Sequence, residues 1–533
     1  MNFEPRNICR RIVLFVYMLV IFCIYPIIVD NAYFNITITK TKFFQSATLT
    51  FIACIIIGVL ADMLIHKLFF IEERLFFDDN ARFYKKPSFW MEMFILANVI
   101  SWYMSDCSDA ARTGASARYM GLNMYLIMGA GFICLASIAN VSKISVIMLA
   151  VTSAYTYVIG IIQHLELDVK YWATGKEATF EFMHYREKLS ASQFDIYMST
   201  FGNINIFASF IVITLSLFLA VFVFTNISYM KIVSGIIIVL GGCTLMIANS
   251  DSGYMGVVGA LFLLFLLSYN KGRIRQFIVS LILLACGNLL VVILNKSVVA
   301  EYDNRGGVAE ALDRIDISLV IIAMLVIAYI LVGLAGLRFK ERLDGLNKKI
   351  VSIAIVVASA ISGLLVVVIG SARGMAAFTF DDKWGTYRGF VWSRGWELFC
   401  DAPLINKLFG YGNESFGIYM KEYYYSDMRD IVGKMYDNAH NELLQYLVTL
   451  GLLGVVTYLG LFITSFIYML KYGEGNYLVY GFMASITGYF VQSIVNLNQP
   501  ITTPLYFVMM ALGVGYTTYL RKKDGDYDQI SSK

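Results

Sequence analysis

The sequence predicts an all-α fold: a polytopic membrane helix bundle of about 14 transmembrane helices, with a large extracytoplasmic loop before the last three. Three observations carry that expectation. Of 533 residues, 58% are hydrophobic and only 15% are charged, whereas soluble globular chains run near 25% charged. Apolar runs of about 18 residues or more, enough to cross a bilayer, recur along the whole length. The 39 Phe and 35 Tyr against six Pro exclude a disordered, low-complexity chain.

With a window of about 19 residues, the spans fall near 12–29, 47–65, 89–105, 121–139, 144–163, 205–225, 232–248, 254–269, 276–294, 315–337, 350–371, 443–470, 477–495 and 504–520. Lipid offers backbone groups no partners, so each span must be helical. The first follows Arg6, Arg10 and Arg11 without a small-residue cleavage site, which predicts an uncleaved signal anchor. One set of short loops holds Lys67/Arg74/Arg82/Lys85/Lys86, Lys271/Arg273/Arg275, Arg338/Lys340/Arg342/Lys348/Lys349 and Arg521/Lys522/Lys523. The opposite loops hold smaller groups such as Lys40/Lys42 and Arg112/Arg118. Positive charge stays inside, so both termini are expected in the cytoplasm. Residues 1–371 then carry helices 1–11 and 372–442 the large outer loop with the candidate site. Helices 12–14 occupy 443–520, and 521–533 form a cytoplasmic tail. A second long outer segment spans about 164–203, and loops of such length are usually functional.

Several functions lack their parts. A net charge of +4 without a basic stripe gives no support for nucleic acid. Eight Cys are scattered singly, with no CxxC and no Cys/His cluster, so no metal site is expected. Only Cys107 and Cys400 fall in outer loops, where they could pair. No P-loop, GxSxG or HExxH is present, and no cofactor is implied.

Of the four His, His66 falls at a cytoplasmic helix end, where snorkelling or solvation accounts for it. His164 and His184 lie in the first long outer segment with no acidic or Cys partner at ligand spacing. His440 differs, because it stands where a polar outer segment turns into a membrane helix, in "MYDNAHNELLQYLVTLGLLG". With Asp437 or Asn438 as cap, His440 would occupy the first helical turn, where the macrodipole disfavours an imidazolium. A neutral imidazole can serve as a general base; it can equally be an interfacial hydrogen-bonding group. Arg373, Arg388 and Arg394 in the great loop can grip a diphosphate bidentately, or pair with Asp381, Asp382, Glu397 or Asp401. Trp384, Trp392 and Trp396 suit sugar rings or an interfacial aromatic belt.

Three ordered elements resemble the O-antigen ligase/polymerase family of bacterial membrane glycosyltransferases. "AHNELLQYLVTLGLLG" (Ala439–Gly454) is similar to its His-Asn, leucines and Gly-x-x-Gly. "YRGFVWSRGWELFCDAPLINKLFGYGNESF" resembles its Arg-x3-Trp, Pro-Leu and Gly-x-Gly, here Arg388, Trp392, Pro403, Leu404, Gly410, Gly412 and Phe416. "STFGNINIFASF" (Ser199–Phe210) is similar to its Asn-x-Asn-x-x-Ala helix entry. The resemblance covers about 199–470. It implies metal-independent transfer of glycan from an undecaprenyl-diphosphate-linked oligosaccharide to a glycan, lipid or protein acceptor, at the outer face of the plasma (inner) membrane. It makes His440 the catalytic residue and Arg388 a donor-binding residue, with Asn441, Asn205 and Trp392 in support. The family's Ser-Arg is replaced by "NSDSGY", with Asp251 in that place, and the Arg before Asn-x-Asn is absent from "SQFDIYMST". A second diphosphate contact is therefore expected from Arg373 or Arg394. The alternative function is a lipid-linked oligosaccharide flippase, which would need charges deep within its spans. A third is a scaffold of an envelope assembly, in which no single residue is critical.

Overall fold

Apolar stretches in lipid need helices if backbone groups are to be satisfied without water. Each expected stretch overlaps a helix, the first of them ending at Ile24 rather than near residue 29. The computed structural model describes residues 8–30, 35–69, 83–115, 118–164, 199–298, 307–338, 347–375 and 378–531. Most of the expected 164–203 segment, with His184, lies outside the described residues, as do Arg6, Arg74 and Arg82.

In chain order the helices are α1 (Ile8–Leu19, prolonged by a π-helical turn over Val20–Ile24), α2 (Ile36–Phe69), α3 (Pro87–Tyr103), α4 (Ser108–Thr113), α5 (Leu122–Ile138) and α6 (Lys143–His164). There follow α7 (Ile204–Phe224), α8 (Ser228–Ala248), α9 (Asp251–Asn270), α10 (Ile274–Val298), α11 (Gly307–Leu312), α12 (Ile315–Arg338) and α13 (Lys348–Ala372). The great loop folds into α14 (Trp384–Asp401), α15 (Leu404–Phe409), α16 (Phe416–Asp427) and a π-helical turn over Met428–Val432. The chain closes with α17 (Glu442–Tyr472), α18 (Tyr477–Ser493) and α19 (Thr503–Ser531).

The protein is a multi-pass membrane protein. Among the described residues, nine helices are long and apolar enough to cross a membrane: α2, α6 to α10, α12, α13 and α17. The other expected spans fall short for local reasons. Three of them, α3, α5 and α18, have 17 residues each, the first is broken by its π-helical turn, and α19 is rich in Thr, Tyr and Gly. The most apolar environment surrounds α7, which has no polar face and is buried on all sides among α8, α9 and α18. At the other extreme, α12 and α13 expose almost all their apolar side chains, as lipid-facing helices do.

One loop assignment is corrected. Lys40 and Lys42 lie inside α2, which begins at Ile36 rather than near residue 47. Lys40 is wholly buried. Its Nζ donates to the carbonyls of Tyr25 (2.9 Å) and Pro26 (2.8 Å) and lies near the Tyr25 and Phe201 rings. The ammonium thus takes up carbonyls left unpaired where the first helix ends, which is why it tolerates a buried position. Cys107 and Cys400 are both free thiols.

The segment holding α14 to α16 is tied to the bundle through a break in α17. Gly451 has φ +68 and ψ −168, a region essentially reserved for glycine. The break frees carbonyls one turn earlier, and the loop supplies donors. Tyr411 N–H donates to Val448 O (3.1 Å) and Gly412 N–H to Thr449 O (2.9 Å), while Ser101 Oγ on α3 also donates to Thr449 O (2.5 Å). A Cβ on Gly451 would meet the Leu408 carbonyl carbon at 2.4 Å. Gly451→Ala is therefore expected to destabilise the protein by at least about 1–3 kcal/mol from backbone strain alone. Gly336→Ala, where a Cβ meets nothing within 4 Å, should leave the detergent-solubilised melting temperature unchanged or raised. Equal melting of the two variants would contradict the strained break.

Candidate active site

The start of α17 governs the site, and it is not where the sequence suggested. Asn441 is the N-cap, its side chain accepting from Leu444 N–H (3.0 Å). Neither Asp437 nor Asn438 plays that part. His440 consequently lies before the helix, not in its first turn, and holds a left-handed backbone at φ +49. Three bonds secure this turn. Ala439 N–H donates to Gln445 Oε1 (2.9 Å), Trp392 Nε1 donates to Ala439 O (3.0 Å), and His440 N–H donates to Asn438 Oδ1 (2.9 Å). Asn441 and Trp392 thus hold the backbone on either side of the imidazole.

The His440 ring is half-buried against Tyr436, edge to face at 5.6 Å. Its pKa is pushed down to about 3, chiefly by burial, then by the Arg388 and Arg118 cations; Asp437 opposes them and Lys434 adds to them. The imidazole is neutral across the physiological range, through desolvation and nearby cations rather than a helix dipole. Arg388 begins the regular part of α14, after Gly385, Thr386 and Tyr387 turn with positive φ. Tyr436 O–H donates to the Thr386 carbonyl (2.8 Å), tying that turn to the His440 segment. The half-buried Arg388 makes no hydrogen bond or ion pair among the described residues. Burial lowers its pKa from the usual value, against the fields of Tyr436 and Asp251, and a guanidinium stays charged under such a shift.

The other expected residues divide. Arg394 pairs with Glu397 (3.4 Å) and Asp427 (3.5 Å) and lies over Phe390 and Tyr424, so it is neutralised within its own segment. Arg373 caps the end of α13 through its backbone and is exposed. Asn205 accepts from Ser250 Oγ (2.7 Å), while Asn203 caps α7. The adjacent Asp251 accepts from Val308 N–H (3.0 Å) and raises the Arg388 pKa through its charge. The Asn-x-Asn element thus meets the replaced position through Ser250, and of the two only the Asp251 charge is felt at Arg388.

Two residues went unrecognised in the sequence. Arg118, counted only as an outer-loop cation, is bidentate to Asp437, with Nε at 2.9 Å and Nη2 at 2.5 Å. Burial opposes the Arg118 cation, but that pair and the Glu414 field outweigh it and leave its pKa raised. Burial likewise opposes the Asp437 carboxylate, which the Arg118 pair nevertheless holds below its usual range. Glu414 is 5% exposed at φ +60. Burial pushes its pKa up to about 7, against the pull of Arg118 and with that of Asp437. The signal for Glu414 was an acid inside the Gly-x-Gly element; Arg118 gave none, its partner being 319 residues away.

Beside this charge cluster opens an apolar groove of about 560 Å³, lined by Phe380, Trp392, Trp396, Leu443, Leu444 and Leu447, with Asn441 at its edge. Among the described residues no three His, Cys, Asp or Glu side chains gather as a metal site.

Residues 317–459 match the family model described as O-antigen ligase. The family resemblance read from the motifs is thereby shown, and over this segment the chain is similar to membrane glycosyltransferases of the O-antigen ligase and polymerase kind. The match runs from α12 into α17 and includes Arg373, Arg388, Arg394, His440 and the Gly451 break. Ser199–Phe210 and Arg118 lie outside it. No curated protein matches the chain.

Glu414 and His440 make opposite predictions about stability. The folded Glu414 value of about 7 exceeds its ordinary 4.5, so its contribution is full below pH 4.5 and lost as pH rises through 7. The folded His440 value of about 3 lies below its ordinary 6.5, so its contribution is full above pH 6.5 and lost as pH falls towards 3. Thermal unfolding from pH 4 to 8 should show Glu414→Gln removing the alkaline loss, worth roughly 3 kcal/mol at most, and His440→Gln removing the acid one. Identical pH profiles for wild type and Glu414→Gln would contradict the buried carboxyl.

Proposed function

We propose that the protein transfers glycan from an undecaprenyl-diphosphate-linked oligosaccharide to an acceptor hydroxyl at the outer face of the plasma membrane. The observation that carries the reading is the meeting of Arg388, half-buried and without an ion pair among the described residues, with a neutral His440. Both termini then lie in the cytoplasm, and α14 to α16 on the outer side. The acceptor is a glycan, lipid or protein: a lipid-linked repeat makes the protein a polymerase, another acceptor a ligase.

In this reading the polyprenyl chain lies along the apolar groove beside Trp392 and Leu444, and the diphosphate reaches Arg388. Arg394 and Arg118 are both paired with carboxylates, so the exposed Arg373 is the second cation and meets the outer phosphate. Negative charge growing on the leaving diphosphate needs preorganised cations, and Arg388 supplies one without first breaking an ion pair. The acceptor hydroxyl attacks the anomeric carbon as its C–O bond to diphosphate breaks, and the hydroxyl proton passes to His440. Burial does most to lower the imidazole pKa and the Arg388 field comes second. A diphosphate on Arg388 offsets that second part, so donor binding strengthens the base it is about to need. No metal is required by this scheme.

His440→Gln should insert and bind donor normally, yet turn over about 10²–10⁴-fold more slowly. The measurement is product formation by purified protein in bilayers supplied with lipid-linked oligosaccharide, and wild-type rates from that variant would overturn the base assignment. A flippase would move the donor in the same assay without consuming it.

Arg388→Lys keeps its charge and loses the planar fork. Turnover should fall by roughly ten- to 150-fold, the equivalent of about 1.5–3 kcal/mol for a charge-assisted contact. Unchanged turnover would leave Arg388 a structural residue.

A further inference from the structure

Glu442 is the first residue of α17, is wholly buried, and has no part in the transfer step described above. A carboxylate in such surroundings is costly unless its oxygens are bonded. Its Oε1 accepts from Tyr446 O–H (2.9 Å) and its Oε2 from Tyr458 O–H (3.0 Å). From Tyr446 the bonds continue without a gap. Tyr125 O–H donates to Tyr446 Oη (3.4 Å), Asn498 Nδ2 donates to Tyr125 Oη (2.9 Å), and Asn438 Nδ2 donates to Asn498 Oδ1 (3.2 Å). The last bond is that of His440 N–H to Asn438 Oδ1. Asn438, Asn498, Tyr125 and Tyr446 are all buried, each 3% exposed or less.

Every donor in this chain points towards Glu442. A carboxylate accepts bonds and gives none, whereas an Asn amide can exchange donor and acceptor by a half-turn. The Glu442 terminus therefore fixes the direction of the whole chain, and bonds aligned this way polarise one another. His440 N–H can only donate and so holds Asn438 Oδ1 towards itself. Without the Glu442 acceptor the Tyr446 and Tyr125 hydroxyls can turn, and the Asn498 bond that braces Asn438 from the other side loses its alignment. The left-handed His440 backbone persists only where its surroundings over-determine it, and its bond to Asn438 is one of those constraints.

We propose that Glu442 is a positioning residue for His440, acting through Tyr446, Tyr125, Asn498 and Asn438 on the backbone turn that aims the imidazole. The inference rests on the assignment of His440 to the transfer step. It ties that step to α5 and to the α18–α19 connection, both outside the matched segment.

The test is a double-mutant cycle read in kcat and donor KM, with undecaprenyl-diphosphate-linked oligosaccharide as substrate. Wild-type transfer is measured first. Its absence overturns the functional reading and this inference with it; where it is present, the variants bear on the inference alone. Tyr125→Phe removes one oxygen from the middle of the chain, and Glu442→Gln replaces its terminus. Each should lower kcat about ten- to a hundredfold with donor KM within about twofold, and the double variant should be no slower than the slower single one. Tyr157→Phe loses a buried bond of the same kind, to Thr214 (2.6 Å), away from the chain, and should keep kcat within about twofold. Should Glu442→Gln fail to accumulate in the membrane, Asn498→Ala takes its place in the cycle. Multiplicative losses, unchanged kcat in Tyr125→Phe, or an equal loss in Tyr157→Phe would overturn the proposal.

Discussion

Carbonyls freed by a break in a membrane helix need donors from within the protein, and in this chain that requirement joins the segment before α17 to the bundle. Gly451 interrupts α17, and the carbonyls of Val448 and Thr449 take the N–H groups of Tyr411 and Gly412. Once those two bonds form, the Gly410–Ser415 turn is fixed, Glu414 is buried near Arg118, and α16 follows at once. Trp392 on α14 then reaches the Ala439 carbonyl. Arg388, one helical turn before Trp392, comes close enough to add its field to the burial that keeps His440 neutral. Carbonyls left without partners by the helix break thus organise the segment that carries Arg388 and His440.

The site is electrostatically unfinished, and this distinguishes it from a structural ion-pair network. Arg394 and Arg118 each have carboxylate partners. Arg388 has none among the described residues, and its charge weighs on a neutral imidazole. Uncompensated cations cost stability unless an anion arrives, so the arrangement suits a ligand carrying concentrated negative charge. The apolar groove alongside Trp392 and Leu444 suits a long hydrocarbon attached to that charge.

Much of this is legible in the sequence because membranes simplify it. Apolar runs mark where helices lie, nine of them long and apolar enough to cross a membrane among the described residues. The His-Asn and Arg-x3-Trp elements contain two residues that the fold brings close, His440 and Arg388. Two kinds of feature are not legible. Lys40 reads as a loop residue because a lone charge inside an apolar helix is costly, and only its approach to the Tyr25 and Pro26 carbonyls explains its burial. The helix start reads as Asp437 or Asn438 because several Asx residues adjoin; cap geometry, not composition, selects Asn441. Arg118, Glu414 and Asn498 act through partners distant in sequence, and no local pattern encodes such pairings.

The central claim is that Arg388 receives the diphosphate while His440 stands aside as a neutral base. Its most direct measurement is binding of undecaprenyl diphosphate, the product left by transfer, to detergent-purified protein followed by native mass spectrometry. Wild type and His440→Gln should bind it equally, and Arg388→Gln about tenfold or more weakly, as expected for a lost charge-assisted contact. Binding by Arg388→Gln as tight as that of wild type would contradict the account.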